Sequence, residues 1–328
     1  MSDERANEPI LGDERNAIGS GEEISSRAPG GLVTTAFGLS DIGCQRSVNQ
    51  DTLGNRLGQF TAQTSNLGLL YAIADGMGGH ARGEVASAIA IHELFARYYT
   101  SDAAQGAQQT LARAMVETNA AVYQAGRDAG GGTMGTTLTT VLLRDNILYV
   151  GNIGDSRTYL IRGGKIKQLS HDHSLIGEQV RSGVLTEAQA RTSSIRNVIT
   201  RAVGYREAVE ADTFAFTVQV GDILLLCSDG LHGLVENDEL AQMLSSKSLA
   251  AATTELVELA RERGGPDNIT ALVVRIDEIG APIIAGEDDQ TTESFSTLDE
   301  ETTKPLPMIP PGQTDEIMAD PPREESAD

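Results

Sequence analysis

Apolar and polar positions along this 328-residue chain repeat with two periods. Near-alternation predicts strands over Thr34–Ile42, Thr136–Leu143, Ile147–Ile153, Arg157–Ile161, Phe214–Val220, Asp222–Cys227 and Asn268–Ile276, and the unbroken apolar run Leu67–Ala74 reads as a buried strand. Spacings of three and four place Val85, Ile89, Leu94 and Phe95 on one face of a helix over Glu84–Tyr98. The same spacing recurs over Ala103–Arg127 and Ser248–Arg263, with a shorter helix near Leu175–Ser182. The resulting order is strands, two helices, a run of strands joined by tight polar turns, then helix and strand. That grouping lacks strand–helix–strand alternation and predicts an α+β fold, a central antiparallel two-sheet β-sandwich flanked by α-helices.

Charge separates the ends from the middle. Residues 277–328 hold fifteen acids against two bases and seven of the ten prolines, and residues 1–33 hold seven acids against three bases. The ends therefore carry −17 of the net −22, and the middle only −5. Segments this polar bury too little apolar surface to offset chain entropy. The expected organisation is a disordered acidic N-terminal segment over 1–33, one folded domain over 34–277, and a disordered acidic Pro/Thr-rich tail over 278–328. Without clustered Lys and Arg, no nucleic-acid partner is expected. No apolar run reaches the roughly 20 residues of a membrane span, and no basic-then-apolar leader opens the chain. Cys44 and Cys227 lack metal spacing and read as reduced thiols, so a cytoplasmic location is expected.

Candidate chemistry lies where strands run out. Apolar runs stop at Asp75, Asp155 and Asp229, and Asp267 directly precedes the strand-like Asn268–Ile276. Each Asp alone is an ordinary turn residue beside glycine. Repeated at one sheet edge, the carboxylates would repel unless cations neutralised them, and an oxygen-rich site suits Mg²⁺ or Mn²⁺. Gly76 lets the backbone come close enough to offer a carbonyl; Arg46 alone reads as an ordinary surface charge, and beside such a cluster becomes a candidate for binding a phosphate bidentately. The glycine run at 130–135 has no following Lys-Ser/Thr and reads as a hinge rather than a phosphate loop. His171 and His173 have no supporting Cys or His nearby for zinc and read as polar loop residues. Gly-x-Ser-x-Gly is absent, so no serine nucleophile is expected.

Taken in order, Arg46-Ser47-Val48-Asn49-Gln50-Asp51, Asp75-Gly76-Met77-Gly78-Gly79-His80, Gly135-Thr136-Thr137, Gly154-Asp155-Ser156-Arg157, Ser228-Asp229-Gly230 and Asp267-Asn268-Ile269-Thr270 resemble the type-2C metal-dependent Ser/Thr protein phosphatases, in their bacterial form. The resemblance implies hydrolysis of phosphoserine and phosphothreonine monoesters by a water activated between two Mg²⁺ or Mn²⁺ ions. Asp75 would bridge the ions, the Gly76 carbonyl would join one of them, and Asp229 and Asp267 would hold the other. Asp51 would order metal-bound water, Arg46 would bind the phosphate, and Asp155 would serve a third ion. The implied partners are phosphorylated proteins and a bacterial Ser/Thr kinase or its targets, with the enzyme a monomer.

Three departures accompany the resemblance. Gln50 stands where the family often has Glu, and Met77 where animal members carry a proton-donating His. Gly233 stands where an aspartate elsewhere partners the equivalent of Asp155. Residues 171–200 match the variable flap of bacterial members. Gln50 leaves open a second reading, a pseudophosphatase that binds phosphoproteins without turning them over. A third assigns the function to the tail, where Thr291, Thr292, Thr297, Thr302 and Thr303 lie among acids as potential kinase sites or docking segments.

Overall fold

Period-two segments pair into two antiparallel sheets in a computed structural model that describes residues 23–55, 65–78, 82–102, 106–130, 134–144, 146–186, 189–190, 193, 195 and 198–280. In chain order the elements are β1 Ile24–Arg27, β2 Val33–Asp41, β3 Asp51–Asn55, β4 Leu69–Met77, α1 Arg82–Thr100, α2 Ala107–Asp128, β5 Gly135–Thr136, β6 Leu138–Arg144, β7 Ile147–Ile153, β8 Arg157–Arg162 and β9 Lys165–Gln168. Then follow α3 Leu175–Arg181, β10 Asp212–Thr217, β11 Ile223–Cys227, α4 Asp229–His232, α5 Asn237–Ser246, α6 Leu249–Glu262 and β12 Ile269–Glu278. One sheet runs β1-β2-β12-β11-β8-β9, and the other β10-β7-β6-β4-β3, with β5 continuing along the end of β4.

Side-chain parity distributes the core. On β4, Leu70, Ala72 and Ala74 join Ala90 and Leu94 of α1 and Leu111 and Met115 of α2 in one cluster outside the second sheet. On β11 and β12, Leu225, Cys227, Ala271 and Val273 join Leu249, Leu256 and Val257 of α6 outside the first sheet. The opposite parity faces the space between the sheets, because successive strand side chains alternate faces. Tyr71, Ile73 and Asp75 therefore share the inner face of β4, as Leu224, Leu226 and Ser228 share one parity along β11. Hydroxyls join the two sheets: Thr34–Tyr71 at 2.8 Å, Thr137–Ser156 at 2.7 Å and Thr139–Thr158 at 2.9 Å.

The layered α+β sandwich is as expected, with three changes in detail. Ile24–Arg27, inside the segment expected to be structureless, pairs with Val33–Ala36 of β2 as an edge strand. Its four residues are too short for periodicity to register, and only the neighbouring β2 gives it a partner. The run ending on Asp75 continues as strand through Met77, because Gly76 and Met77 pair with β5. Four further elements, β3, β9, α4 and α5, show no such periodicity. The hydroxyl-rich tail sites, Gly79, His80 and residues 131–133 of the glycine run lie outside the described residues.

Candidate metal centre at the end of the sandwich

Strand register does much of the assembly. Asp51 opens β3 directly across from Asp75 on β4. Asp229 follows β11 as the first residue of α4, and Asp267 precedes β12, which pairs with β11. Asp155 sits in the turn between β7 and β8, and β8 flanks β11 on its other side. All five acids thus reach one end of the sandwich from different connections.

Ser228 ties the two sheets together at this point. Its hydroxyl donates to Asp51 Oδ2 at 2.8 Å and accepts from the Thr270 N–H at 3.0 Å. Asp75 is held through its backbone, its N–H donating to the Thr137 hydroxyl at 2.9 Å and its carbonyl accepting from the Thr137 N–H and the Thr136 hydroxyl at 2.8 Å each. Gly76 is where strand meets helix: a Cβ there would lie 2.1 Å from the Gly83 carbonyl oxygen and 2.6 Å from that of Gln50. No other residue fits between β4 and the start of α1 in this arrangement.

The electrostatics are those of crowded acids. Burial, and then repulsion from Asp229 and Asp267, pushes the Asp51 carboxyl up to about 7 against the donations of Thr270 and Ser228. Burial and the charge of Asp267 raise Asp229 to about 6. Asp75 is driven well above the carboxylate range by burial and by the charges of Asp51, Asp229, Asp155 and Asp267. Asp155 is raised by burial and by Asp229. Asp51 and Asp229 each keep a partly exposed edge, yet the Oδ1 of each is enclosed and makes no hydrogen bond. Enclosed carboxylate oxygens without donors, repelling one another, fit a hard divalent cation.

Arg46 lies at the rim, donating to Asp267 Oδ2 at 2.7 Å with Asp229 and Asp75 adding to the field on its guanidinium. With Asp267 turned to Arg46, no three of the described His, Cys, Asp and Glu side chains already form a ready coordination shell. Arg46 is held by a loop that Asn268 pins from beneath. The Asn268 amide donates to the Ile42 and Val48 carbonyls at 3.0 Å each and accepts from the Gln50 N–H at 2.8 Å. Neither this clamp nor the Ser228 bridge is apparent from the motifs, although strand parity places Ser228 on the inner face.

The histidines have structural work. Buried His173 accepts from the Gly154 N–H at Nδ1 over 3.1 Å, which leaves its other nitrogen facing Asp212 at 3.1 Å. Hydrogen bonds from His171 and His173 hold the Asp212 carboxyl far below its usual range. They brace the turn that carries Asp155 and form no zinc site with the described residues. Gln50 is likewise engaged, its amide 3.4 Å from the Gly78 carbonyl and pressed against Gly83.

A sandwich that gathers buried carboxylates and an arginine at one edge defines a hydrolase built for divalent cations and phosphate. The family model for protein phosphatase 2C matches residues 44–273. Protein phosphatase PhpP of Streptococcus pneumoniae is 35% identical over 246 residues, covering 73% of this chain and 96% of the relative. Serine/threonine phosphatase stp of Listeria monocytogenes is 36% identical over 215 residues, covering 63% and 84%. The solved serine/threonine phosphatase PstP/Ppp of Mycobacterium tuberculosis superposes with a TM-score of 0.66 at 33% identity, covering 75% of this chain and all of that one. A PstP catalytic domain in complex with two manganese ions gives 0.65 at 33% identity, with 75% of this chain and 100% of that one covered. The chain belongs to the protein phosphatase 2C family and is a metal-dependent protein phosphatase.

Proposed function

We propose that this protein removes phosphate from phosphoserine and phosphothreonine in proteins, opposing a Ser/Thr kinase, as a monomer in the cytoplasm. The observation that carries the reading is the convergence of Asp51, Asp75, Asp229 and Asp267 beside Arg46, with enclosed carboxylate oxygens that have no donor. On this reading the phosphatase domain is the folded unit over 34–277, extended back to β1, and the acidic segments lie outside it.

Asp75, Asp229, Asp267 and the Gly76 carbonyl would hold two Mg²⁺ or Mn²⁺ ions, with Asp51 ordering their water. Bound divalent cations supply a nucleophilic water near neutral pH and offset charge on the phosphoryl oxygens. The chain's own residues do the remaining work. Arg46 exchanges its hydrogen bond to Asp267 for the substrate phosphate, binding it through two parallel N–H donors and freeing Asp267 for the cation. Asp51, tied to Ser228 at 2.8 Å, is held facing Asp75 where it can orient that water. Met77 offers no proton to the leaving serine or threonine oxygen.

Gln50 lends the pseudophosphatase alternative no support, since its amide has a packing role at Gly78 and Gly83. The test is Mn²⁺-dependent phosphate release from a phosphothreonine peptide, alongside calorimetric Mn²⁺ binding. Asp75→Asn and Asp229→Asn should lose both turnover and metal binding. A wild-type protein that releases no phosphate in excess Mn²⁺ would sink the proposal.

A further inference from the structure

Gly135 of β5 stands directly across from Met77 on β4, so side chains at the two positions share one face, and strand parity puts Asp75 on that face too. A Cβ built on Gly135 would meet the Tyr205 ring at 3.3 Å and the Val203 carbonyl oxygen at 3.2 Å. Tyr205 therefore lies against the side of the β4–β5 end that carries the Asp75 carboxylate and the half-buried Met77. Two strand residues rise about 6.6 Å and one interstrand step adds about 4.8 Å, which sets the ring about two or three residues of extended peptide from Asp75.

The loop that presents the ring is fastened on both sides. Before it, the Val203 N–H donates to the Thr136 carbonyl at 2.9 Å, and the Val203 carbonyl accepts from the Thr136 N–H at 3.0 Å. Thr136 is also the residue whose hydroxyl holds the Asp75 carbonyl. Around the ring, the buried Asn119 amide of α2 accepts from the Gly204 N–H at 2.7 Å and donates to the Arg206 and Glu207 carbonyls at 3.1 and 3.0 Å. Tyr205 itself is 58% exposed, and it is the one aromatic among the exposed large hydrophobic side chains of the described residues. Scattered exposed aliphatics need no explanation. An aromatic ring held out to solvent by a closed set of hydrogen bonds, beside the metal centre, is a preorganised contact.

We propose that Tyr205 is a specificity-determining residue, its ring and the neighbouring Met77 receiving an apolar side chain of the substrate close to the phosphorylated serine or threonine. The ring offers a flat apolar face with few rotatable bonds to immobilise, and the Met77 thioether adapts to the shape set against it. Metal ions and Arg46 grip a phosphate that every phosphoprotein carries, so discrimination falls to contacts of this kind. This deepens the phosphatase reading and rests on it.

The test uses the full chain with Mn²⁺ and a phosphothreonine peptide in which Leu or Ala is placed in turn at each flanking position. At a position about two or three residues from the phosphothreonine, Leu should raise kcat/KM about fivefold over Ala, the worth of half burying its side chain. Tyr205→Ala should erase that preference, and Tyr205→Phe should keep it, because the ring face and not the hydroxyl makes the contact. Turnover of the peptides with no Leu preference at any position would overturn the subsite and leave the phosphatase reading standing. So would a preference that survives Tyr205→Ala, one that is lost in Tyr205→Phe, or a Tyr205→Ala loss equal on the Leu and Ala peptides, the mark of a structural role. Absence of turnover on every peptide would instead remove the phosphatase reading, and the subsite with it.

Discussion

Asn268→Ala isolates the clamp beneath Arg46. The side chain is 4% exposed and makes three hydrogen bonds to one loop, to the Ile42 and Val48 carbonyls and from the Gln50 N–H. Alanine removes all three and leaves their partners to find water. At about 1 kcal/mol net per hydrogen bond the loss is about 3 kcal/mol. For a domain of this size that lowers the melting temperature by about 6 to 12 °C. The loop also carries Arg46 and the Gln50 carbonyl that accepts from the Gly76 N–H at 3.1 Å. Loosening it should therefore raise KM for a phosphopeptide more than it lowers kcat. Urea denaturation in chelator, which removes cation binding from the comparison, gives the stability, and peptide kinetics give the rest. Arg263→Ala serves as the contrast. Arg263 makes two bonds to Glu239 and one to the Leu234 carbonyl, but in the open, where ion pairs contribute under about 1 kcal/mol. Equal costs for the two variants, or an Asn268→Ala cost under about 1 kcal/mol with KM unchanged, would refute the argument.

Gly76→Ala places a methyl 2.1 Å from the Gly83 carbonyl oxygen, so β4 and α1 must part. The expected cost is about 3 kcal/mol or more, read by thermal melting, and a variant that melts with wild type would show that the approach is not tight. Asp51 and Asp229 are raised to about 7 and about 6 from 3.8, so the metal-free folded state binds more protons than the unfolded one. The stability this confers is complete below the unfolded value and is lost as pH rises through the folded values. In chelator, the urea midpoint should thus rise as pH falls from about 8 to about 5, and added Mn²⁺ should stabilise more at the upper end; a midpoint flat across that window would contradict the crowding of these acids. Arg46→Lys keeps the charge but loses the two-pronged geometry, and kcat/KM for a phosphopeptide should fall about tenfold or more; an unchanged value would remove Arg46 from phosphate binding.

Taken alone, the order of residues determines the layers and the identity of the acids. Period-two runs specify which strands exist, and parity sends Tyr71, Ile73 and Asp75 to one face without reference to anything distant. The ordered motifs from Arg46 to Thr270 likewise carry the family, because chemistry constrains residue types at fixed places in the chain. Tertiary structure decided everything that depends on partners far along the chain. Asp51 faces Asp75 only because β3, whose five residues carry no strand periodicity, pairs in that register. Ser228 reaches Asp51 across 177 positions, and Asn268 holds Gln50 across 218. β1 exists only because β2 offers an edge. Local pattern encodes what a residue does with its near neighbours, whereas these contacts follow from closing two sheets on one another, and no window along the chain contains both partners.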